Sequence, residues 1–164
     1  MAKNPSKKSR ERTDSPTVEN RRARFDYTIS DTLETGIVLA GSEVKAVRAG
    51  LISLAEGYVR ATMAPLALLL HNVNIGEYSP AAHLGHKPVR PRVLLAHKSE
   101  ILKFARATEG KGRTIVPLKL YFKNGYAKIL IGIADPRDKS DKRRAIGERE
   151  AKRDMDRALS RRAR

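Results

Sequence analysis

Two apolar runs joined by Asn124-Gly125 constrain the fold of this chain more than any other feature. An Asn-Gly pair between such runs is the strongest short-range signal for a β-hairpin with a type I′ turn, because both turn residues need positive φ. With this loop, Lys123 pairs with Tyr126, and most apolar side chains of residues 116–133 fall on one face. The opposite, outward face then carries Lys119, Tyr121, Lys128 and Leu130.

The same register places Pro117 opposite Gly132 and pairs Leu118 with Ile131. Proline cannot donate a ladder hydrogen bond, and glycine weakens a strand interior. We therefore expect a bulge or a bend in the hairpin at this point.

The rest of the chain indicates further short strands and few helices. Alternation or apolar runs predict strands at 25–29, 36–40, 58–62 and 66–73. Helical spacing predicts helices at 42–49 and about 98–109, with Ser42 as the N-cap of the first and Gly50 at its C′ position. Glycines and prolines predict a loop over 76–92. This pattern favours a small closed β structure, because barrel closure removes exposed sheet edges.

The charge of the chain indicates a polyanionic partner. The formal net charge is +16 and the pI is near 10.5, with net +5 in residues 1–24, +6 in 25–140 and +5 in 141–164. Such a charge is typical of nucleic-acid-binding proteins and, less often, of proteins that bind anionic membranes. The longest apolar run, residues 65–70, is far shorter than the ~20 residues that span a bilayer. Since cysteine is absent, disulfides and thiolate zinc sites are excluded, and we expect a cytoplasmic protein.

Residues 141–164 contain ten basic and five acidic residues but few large apolar ones. This composition favours helix but provides too little apolar surface to bury a face. We expect this tail to be disordered alone and helical when a polyanion neutralises it. The predicted organisation is a disordered basic arm at 1–20, a β-barrel RNA-binding domain at 21–136 and a basic tail at 137–164.

The sequence contains none of the phosphate-binding, zinc-protease or nucleophile motifs that identify common enzymes. His83 and His86 have no cysteine or carboxylate cluster nearby, so solvent-facing or RNA-facing histidines are favoured over metal ligands. Glu43 and Glu56 are conceivable as an acid–base pair, but helix capping and surface positions are favoured. We therefore predict no catalytic residue, no cofactor and no metal.

Four linked stretches carry a family resemblance. They are residues 20–50 (NRRARFDYTISDTLETGIVLAGSEVKAVRAG), 56–59 (EGYV), 114–135 (TIVPLKLYFKNGYAKILIGIAD) and 141–154 (DKRRAIGEREAKRD). In this order and spacing they resemble the small protein B (SmpB) family, the SsrA-binding proteins of bacterial trans-translation. The resemblance implies an antiparallel β-barrel of oligonucleotide-binding (OB) type with two or three short helices and basic flexible tails.

The resemblance also implies a function. Family members bind the tRNA-like domain of transfer-messenger RNA (tmRNA, or SsrA RNA) and deliver it to stalled ribosomes, alongside alanyl-tRNA synthetase and elongation factor Tu. The C-terminal tail probes the small-subunit decoding centre and the empty mRNA channel of the ribosome. Together with the outward face of the hairpin, the resemblance indicates as tmRNA-binding residues Asn20, Arg22, Glu34, Lys45, Arg48, Leu95, Lys119, Tyr121 and Lys128. The ribosome-binding tail residues that it indicates are Asp141, Lys142, Arg143, Ile146, Glu148, Arg149, Glu150, Arg153 and Arg157.

Several tail positions depart from the family pattern, among them Ala158-Leu159, which is a smaller version of a bulkier apolar pair. Gly147 replaces the usual lysine, Ser140 replaces a histidine of some members, and Ala151 replaces a frequent tryptophan. These departures suggest that charge contributes more than stacking to the contacts of this tail.

Two alternatives from other functional classes stay open. One is a ribosomal structural protein whose small barrel and basic tails are built permanently into ribosomal RNA. The other is an RNA-processing enzyme that uses carboxylates such as Glu43 and Glu56. The resemblance favours tmRNA binding over both.

Overall fold

Strands outnumber helices in the part of the chain that the structure describes. The computed structural model describes residues 16–77, 86–109 and 112–138, and in the C-terminal segment residues 140, 143, 147, 150, 151, 153–155 and 157. The elements in chain order are β1 (Val18–Glu19), α1 (Arg21–Asp26), β2 (Tyr27–Ile37), α2 (Gly41–Arg48), β3 (Ile52–Ser53), β4 (Tyr58–Met63), β5 (Leu66–His71), β6 (Asn74–Ile75), β7 (Arg92–Leu95), α3 (Lys98–Thr108), β8 (Thr114–Lys123) and β9 (Tyr126–Pro136).

Six strands close into an antiparallel barrel. β8 pairs with β9, β9 with β2, β2 with β7, β7 with β5 and β5 with β4, and β4 pairs back with β8. β4 meets β8 where Val59 lies opposite Ile115, and β1 meets it further along, where Val18 lies opposite Leu120. The mainly β fold and the closed ring confirm the predicted small antiparallel barrel.

The predicted hairpin is formed by β8 and β9. Asn124 and Gly125 have φ values of 51° and 81°, as a type I′ turn requires. The register near the turn is as predicted. Past the bulge the pairing shifts by one residue, so that Ile131 lies opposite Pro117 and not opposite Leu118.

Gly132 lies close to the bulge. A Cβ atom at this residue would lie 2.8 Å from Cγ2 of Ile29 and 2.9 Å from Cδ1 of Leu118, so the neighbouring side chains leave room only for glycine. β2 has a register shift of its own between Ile29 and Asp31. The register shifts beside this close approach confirm the irregularity that the Pro117 and Gly132 pattern predicted.

The core occupies the barrel interior. The inward side chains of β8 and β9 include Leu120, Ile129 and Ile131, which are completely buried. α3 adds Ile101 and Phe104 to the same core. Burying each such side chain contributes about 1.5–3 kcal/mol. Because side chains alternate along a strand, this packing also decides which residues point outward.

Asn20 belongs to the folded domain, which corrects the predicted boundary of the N-terminal arm. Its Oδ1 accepts a hydrogen bond from the Ala23 N–H at 3.0 Å and so caps α1. This helix contains Phe25, for which a strand was predicted, and extended structure starts only at Tyr27. The side-chain cap therefore prevails over the alternating pattern. Residues 1–15 of the predicted arm lie outside the described residues.

Leu94 and Leu95 form part of β7, which the sequence did not predict as a strand. β7 begins at Arg92, inside the predicted loop, whereas α3 lies close to its predicted position. The strand has only four residues, and pairing with β2 on one side and β5 on the other holds it in place. The predicted strand at 36–40 is also shorter, since β2 ends at Ile37.

α2 begins one residue earlier than predicted. Ala40 occupies its N-cap position, and the Ala40 N–H donates to Oε2 of Glu43 at 2.7 Å. Ser42, the predicted N-cap, instead lies 3.0 Å from Nδ1 of His86. At the other end Gly50 has a φ of 77°, which confirms its predicted C′ position.

The described tail residues have helical conformation and exposed side chains. Arg157 and Asp154, three residues apart, approach to 3.6 Å. The dependence of this helix on a polyanion stays a prediction. Among the described helices, not one is long and apolar enough to cross a membrane.

Candidate RNA-binding surface

Four neighbouring strands place one row of residues on the outside of the barrel. Tyr121 pairs with Lys128, Lys128 with Gly36, and Gly36 with Leu95, across β8, β9, β2 and β7. A Cβ atom at Gly36 would lie 3.3 Å from Cβ of Leu95, so the leucine lies close against the glycine. The Leu95 side chain is 58% exposed. This row combines an aromatic ring, a cation and an open apolar surface.

Glu34 lies at the centre of this surface. Its carboxylate accepts a hydrogen bond from the Tyr121 hydroxyl and lies 3.7 Å from Nζ of Lys123 and 4.0 Å from Nζ of Lys128. The Tyr121 hydrogen bond and the two lysines lower the pKa of Glu34, although burial acts in the opposite direction. Partial burial and the hydrogen bond to Glu34 raise the pKa of Tyr121 to about 12. At neutral pH the tyrosine therefore donates and the carboxylate is charged.

Lysines surround the tyrosine. Lys119 Nζ lies 5.7 Å from the centre of the Tyr121 ring and 3.8 Å from Oε1 of Glu19. We call Glu34, Leu95, Lys119, Tyr121, Lys123 and Lys128 the outer-face cluster. Lys123 was not among the predicted site residues, although its odd number places it on the same face as Lys119 and Tyr121, and alternation could have indicated it.

The outer-face cluster has the chemistry of an RNA contact surface. Three lysines against two glutamates, Glu34 and Glu19, leave an excess of positive charge that attracts phosphates. Tyr121 and Leu95 offer flat or apolar surfaces against which a ribose or an unstacked base can pack. The lysines are partly exposed and their ion pairs are long, so a phosphate can replace a carboxylate as their partner.

α2 adds two of the predicted cations. Lys45 and Arg48 are exposed on the helix surface. The Arg48 guanidinium lies 5.3 Å from the ring centre of Phe122, which follows Tyr121 in β8. The C-terminal end of α2 therefore lies beside the strand that carries the outer-face cluster.

Two predicted site residues lie elsewhere. The Asn20 side chain is buried, and its Nδ2 donates to the carbonyl oxygens of Leu54 at 2.8 Å and Pro117 at 3.0 Å. Both ends of its amide are thus used inside the fold. Arg22 is exposed and forms ion pairs with Glu56 and Asp26 at one side of a groove of about 210 Å³. Neither residue has a described contact with the outer-face cluster.

Glu43 is completely buried, contrary to the predicted surface position. Nε of Arg90 and Nε of Arg92 both donate to its Oε1 at 2.9 Å, and Nη2 of Arg90 donates to Oε2. Burial acts to raise the pKa of Glu43, but hydrogen bonds from Arg90, the Ala40 N–H and Arg92 prevail, and the pKa is lowered. Burial disfavours the charged form of Arg92 as well and lowers its pKa, although the hydrogen bond and the ion pair with Glu43 act in the opposite direction.

Glu43 and Glu56 therefore do not form the disfavoured acid–base pair. Glu43 is held as a charged structural group by two arginines, whereas Glu56 is exposed and paired with Arg22. The predicted capping role of Glu43 is confirmed by its hydrogen bond from Ala40.

The histidines show no metal centre in the described structure. Within the described residues, no three His, Asp or Glu side chains come together as a metal site. His86 is partly buried and lies 3.1 Å from the Ile75 carbonyl oxygen through Nε2, so it is neither freely exposed nor facing outward. His83 lies outside the described residues.

Four of the predicted tail residues are described, and all are helical and exposed: Arg143, Glu150, Arg153 and Arg157. The other five lie outside the described residues: Asp141, Lys142, Ile146, Glu148 and Arg149. Their roles stay predictions.

Comparisons with known proteins agree with this fold. The family model described as "SmpB protein" matches residues 17–161. The SsrA-binding protein of Anaeromyxobacter dehalogenans strain 2CP-C is 51% identical over 144 residues, which cover 88% of this chain and 87% of the relative. The SsrA-binding protein of Thermobifida fusca strain YX is also 51% identical, over 88% of this chain and 89% of the relative.

A solved structure gives the same result. It is described as "tmRNA-SmpB: a journey to the center of the bacterial ribosome", and it matches with a TM-score of 0.65 and 40% sequence identity. The match covers 80% of this chain and 95% of the solved chain. Because the family model and relatives of high identity span most of its length, this chain belongs to the SmpB protein family.

Proposed function

We propose that this protein is a non-enzymatic RNA-binding factor that binds the tRNA-like domain of tmRNA and delivers it to stalled ribosomes for trans-translation. The observation that carries the proposal is the outer-face cluster, in which Glu34 organises a tyrosine and two lysines on the wall of a closed barrel. The relatives and the solved structure named above support the same activity.

In the proposed complex the barrel recognises RNA by its shape and backbone. Lys119, Lys123 and Lys128 contact phosphates, and Arg48 and Lys45 extend this contact along α2. Tyr121 and Leu95 pack against a ribose or base. In the free protein, Glu34 forms ion pairs with Lys123 and Lys128 and accepts the hydrogen bond of Tyr121. It thereby positions these side chains on the outer face of the barrel.

The tail is proposed to act as a separate module. Residues 137–164 would enter the small-subunit decoding centre and the empty mRNA channel, where ribosomal RNA neutralises their charge and stabilises a helix. The exposed side chains of Arg143, Arg153 and Arg157 support this role, since they make no buried contact with the barrel. Aminoacylation by alanyl-tRNA synthetase and delivery by elongation factor Tu belong to the same proposal, as does a cytoplasmic location.

Removal of residues 141–164 tests this division. The shortened protein should bind the tRNA-like domain of tmRNA with nearly unchanged affinity, because the outer-face cluster is intact. It should fail to support peptide tagging on ribosomes stalled without a stop codon. Filter binding at moderate salt measures the first property, and a reconstituted tagging assay measures the second.

Gly147→Ala provides a matched control within the tail. A Cβ atom at this position meets no other atom within 4 Å, and alanine favours helix by about 1 kcal/mol relative to glycine. This variant should retain tagging. If the truncation instead abolishes binding to the tRNA-like domain, the barrel and the tail are not separate RNA sites.

A further inference from the structure

We propose that Glu43 is a positioning residue for RNA binding: the buried cluster of Glu43, Arg90 and Arg92 sets the orientation of α2, and so places Lys45 and Arg48 against the RNA backbone. This inference rests on the proposed function, because its effect is on RNA affinity. Glu43 itself is completely buried and has no access to RNA.

The cluster holds the first turn of α2 by directional bonds. Both oxygens of Glu43 are used: Oε1 accepts from Nε of Arg90 and Nε of Arg92 at 2.9 Å each, and Oε2 accepts from the Ala40 N–H at 2.7 Å and from Nη2 of Arg90. Planar guanidinium groups on a carboxylate constrain direction as well as distance. These bonds therefore restrict rotation of the first turn of α2 relative to Arg90 and Arg92.

Arg92 connects this turn to the barrel wall. It is completely buried at the beginning of β7 and donates from Nη1 to the Val73 carbonyl oxygen at 2.7 Å and from Nη2 to the Pro88 carbonyl oxygen at 3.0 Å. The Pro88 oxygen also accepts from the N–H of Ile75 in β6. Glu43 is thus bonded directly to Arg92 of β7, and through Arg92 and the Pro88 carbonyl it is connected to β6.

Apolar packing alone gives α2 little orientation. Besides Glu43, its buried side chains are Ala46 and Val47, which are small. Small side chains resist rotation of a helix less than large interdigitating ones. Directional restraint on the first turn of the helix therefore comes from polar contacts, which are the ion cluster and the contact of Ser42 with His86 at 3.0 Å.

Orientation of α2 matters because the two cations follow Glu43 closely. Lys45 is two residues further along and Arg48 is five, about 7.5 Å along the axis at a rise of 1.5 Å per residue. Arg48 lies over Phe122, whose side chain points to the opposite face of β8 from Tyr121, so the end of α2 lies near the hairpin end of this strand. A rotation of the helix about its first turn would move both cations away from a phosphate path that continues from the outer-face cluster past this end of β8.

Glu43→Gln tests the inference in a double-mutant cycle. Glutamine keeps the shape and an acceptor for the Ala40 N–H but removes the charge that holds the two arginines. Binding of the tRNA-like domain of tmRNA is measured for the full chain, Glu43→Gln, Lys45→Ala/Arg48→Ala and the combined variant, well below each variant's thermal midpoint. Glu56→Gln, an exposed glutamate that also pairs with an arginine, is the matched control.

We expect Glu43→Gln to weaken binding by about fivefold to tenfold, and to reduce the slope of log affinity against log salt by about one to two, since each of the two displaced cations accounts for about 0.9 of the slope. In the Lys45→Ala/Arg48→Ala background the same substitution should have no further effect, since the cations that it positions are gone. Glu56→Gln should change neither the affinity nor the slope. A purely structural role of Glu43 would leave the salt slope unchanged.

Arg90→Ala is the second variant if Glu43→Gln does not fold. It removes the half-exposed partner and keeps the buried Glu43 and Arg92 pair, so the same loss of affinity and slope is expected at smaller size. Unchanged affinity in both variants, or a loss that adds fully to that of Lys45→Ala/Arg48→Ala, overturns the inference. If the wild-type chain does not bind the tRNA-like domain, the proposed function is overturned as well. If Glu43→Gln binds normally while Lys45→Ala/Arg48→Ala binds more weakly, only this inference is overturned.

Discussion

Two glutamates, only nine positions apart, are each surrounded by cations, yet they lie in opposite environments. The Glu34 side chain is 35% exposed, and its lysines stand at 3.7 and 4.0 Å. The Glu43 side chain has no exposed area, and its arginines bind at 2.9 Å with two oxygens engaged. In both cases the pKa of the carboxyl is lowered, but the physical consequences differ.

The difference shows that burial decides whether a group of ion pairs can bind a ligand or only stabilises the fold. At Glu34 water screens the charges and the lysines keep their freedom, so RNA phosphates can take over these partners. At Glu43 no water competes, and leaving one partner unpaired in the interior costs much more than the pair gains. The surface cluster can exchange its partners, and the buried one cannot.

The largest expected effect concerns stability. Glu43→Ala should lower the free energy of unfolding by about 3–5 kcal/mol, because Arg92 is left as an uncompensated buried charge. Glu34→Ala should change it by less than about 1 kcal/mol, as is usual for exposed ion pairs. Urea unfolding followed by circular dichroism measures both. Equal losses in the two variants would contradict the contrast between the clusters.

The pH dependence of stability should differ between variants of the two glutamates. The folded-state pKa of Glu43 lies below its ordinary value of 4.5, so the stability from its ion pairs is fully present above about pH 4.5. That stability is lost as the pH falls through the lower folded-state pKa. Thermal midpoints between pH 6 and pH 3 should therefore fall less steeply in Glu43→Gln than in the wild type. Glu34→Gln should keep most of the wild-type slope, and a flat profile in that variant alone would reverse the assignment.

The smallest expected effect concerns RNA affinity. Lys128→Ala should weaken binding to the tRNA-like domain of tmRNA by about tenfold, or ~1.4 kcal/mol, and reduce the salt slope by about one, without a change in stability. Lys103→Ala is the control, because this exposed lysine of α3 pairs with Asp31 and not with the outer-face cluster. Titrations at several salt concentrations give both quantities. Identical losses for the two lysines would indicate a diffuse charge effect in place of a defined surface.

Prediction succeeded where neighbours in sequence control the structure. The Asn124-Gly125 turn and the alternation around it gave the hairpin, its outward face and three residues of the outer-face cluster. The helix at α3 and the Gly50 terminus of α2 were also correct, since both depend on residues within a few positions. Family resemblance added Glu34 and Leu95, which the structure brings to the same face as Tyr121.

Prediction failed where distant residues control the structure. Glu43 is buried because Arg90 and Arg92, 47 and 49 positions away, supply its counter-charges. The Asn20 side chain turns inward because the Pro117 carbonyl, 97 positions away, accepts its hydrogen bond. β7 exists as a strand because β2 and β5 pair with its two edges. No local pattern contains these partners.

By itself, the sequence determined the charge of the molecule, the hairpin with its lysine and tyrosine face, and the family to which the chain is similar, because these depend on composition and on periods of a few residues. Only the tertiary structure decided the roles of the two glutamates. Each has an ordinary sequence context, but the folded barrel leaves Glu34 on the outer wall and buries Glu43 beside the buried Arg92 and the half-exposed Arg90. Burial, which changes the strength of every charge interaction, is set by contacts between distant segments and so is decided only when the barrel closes.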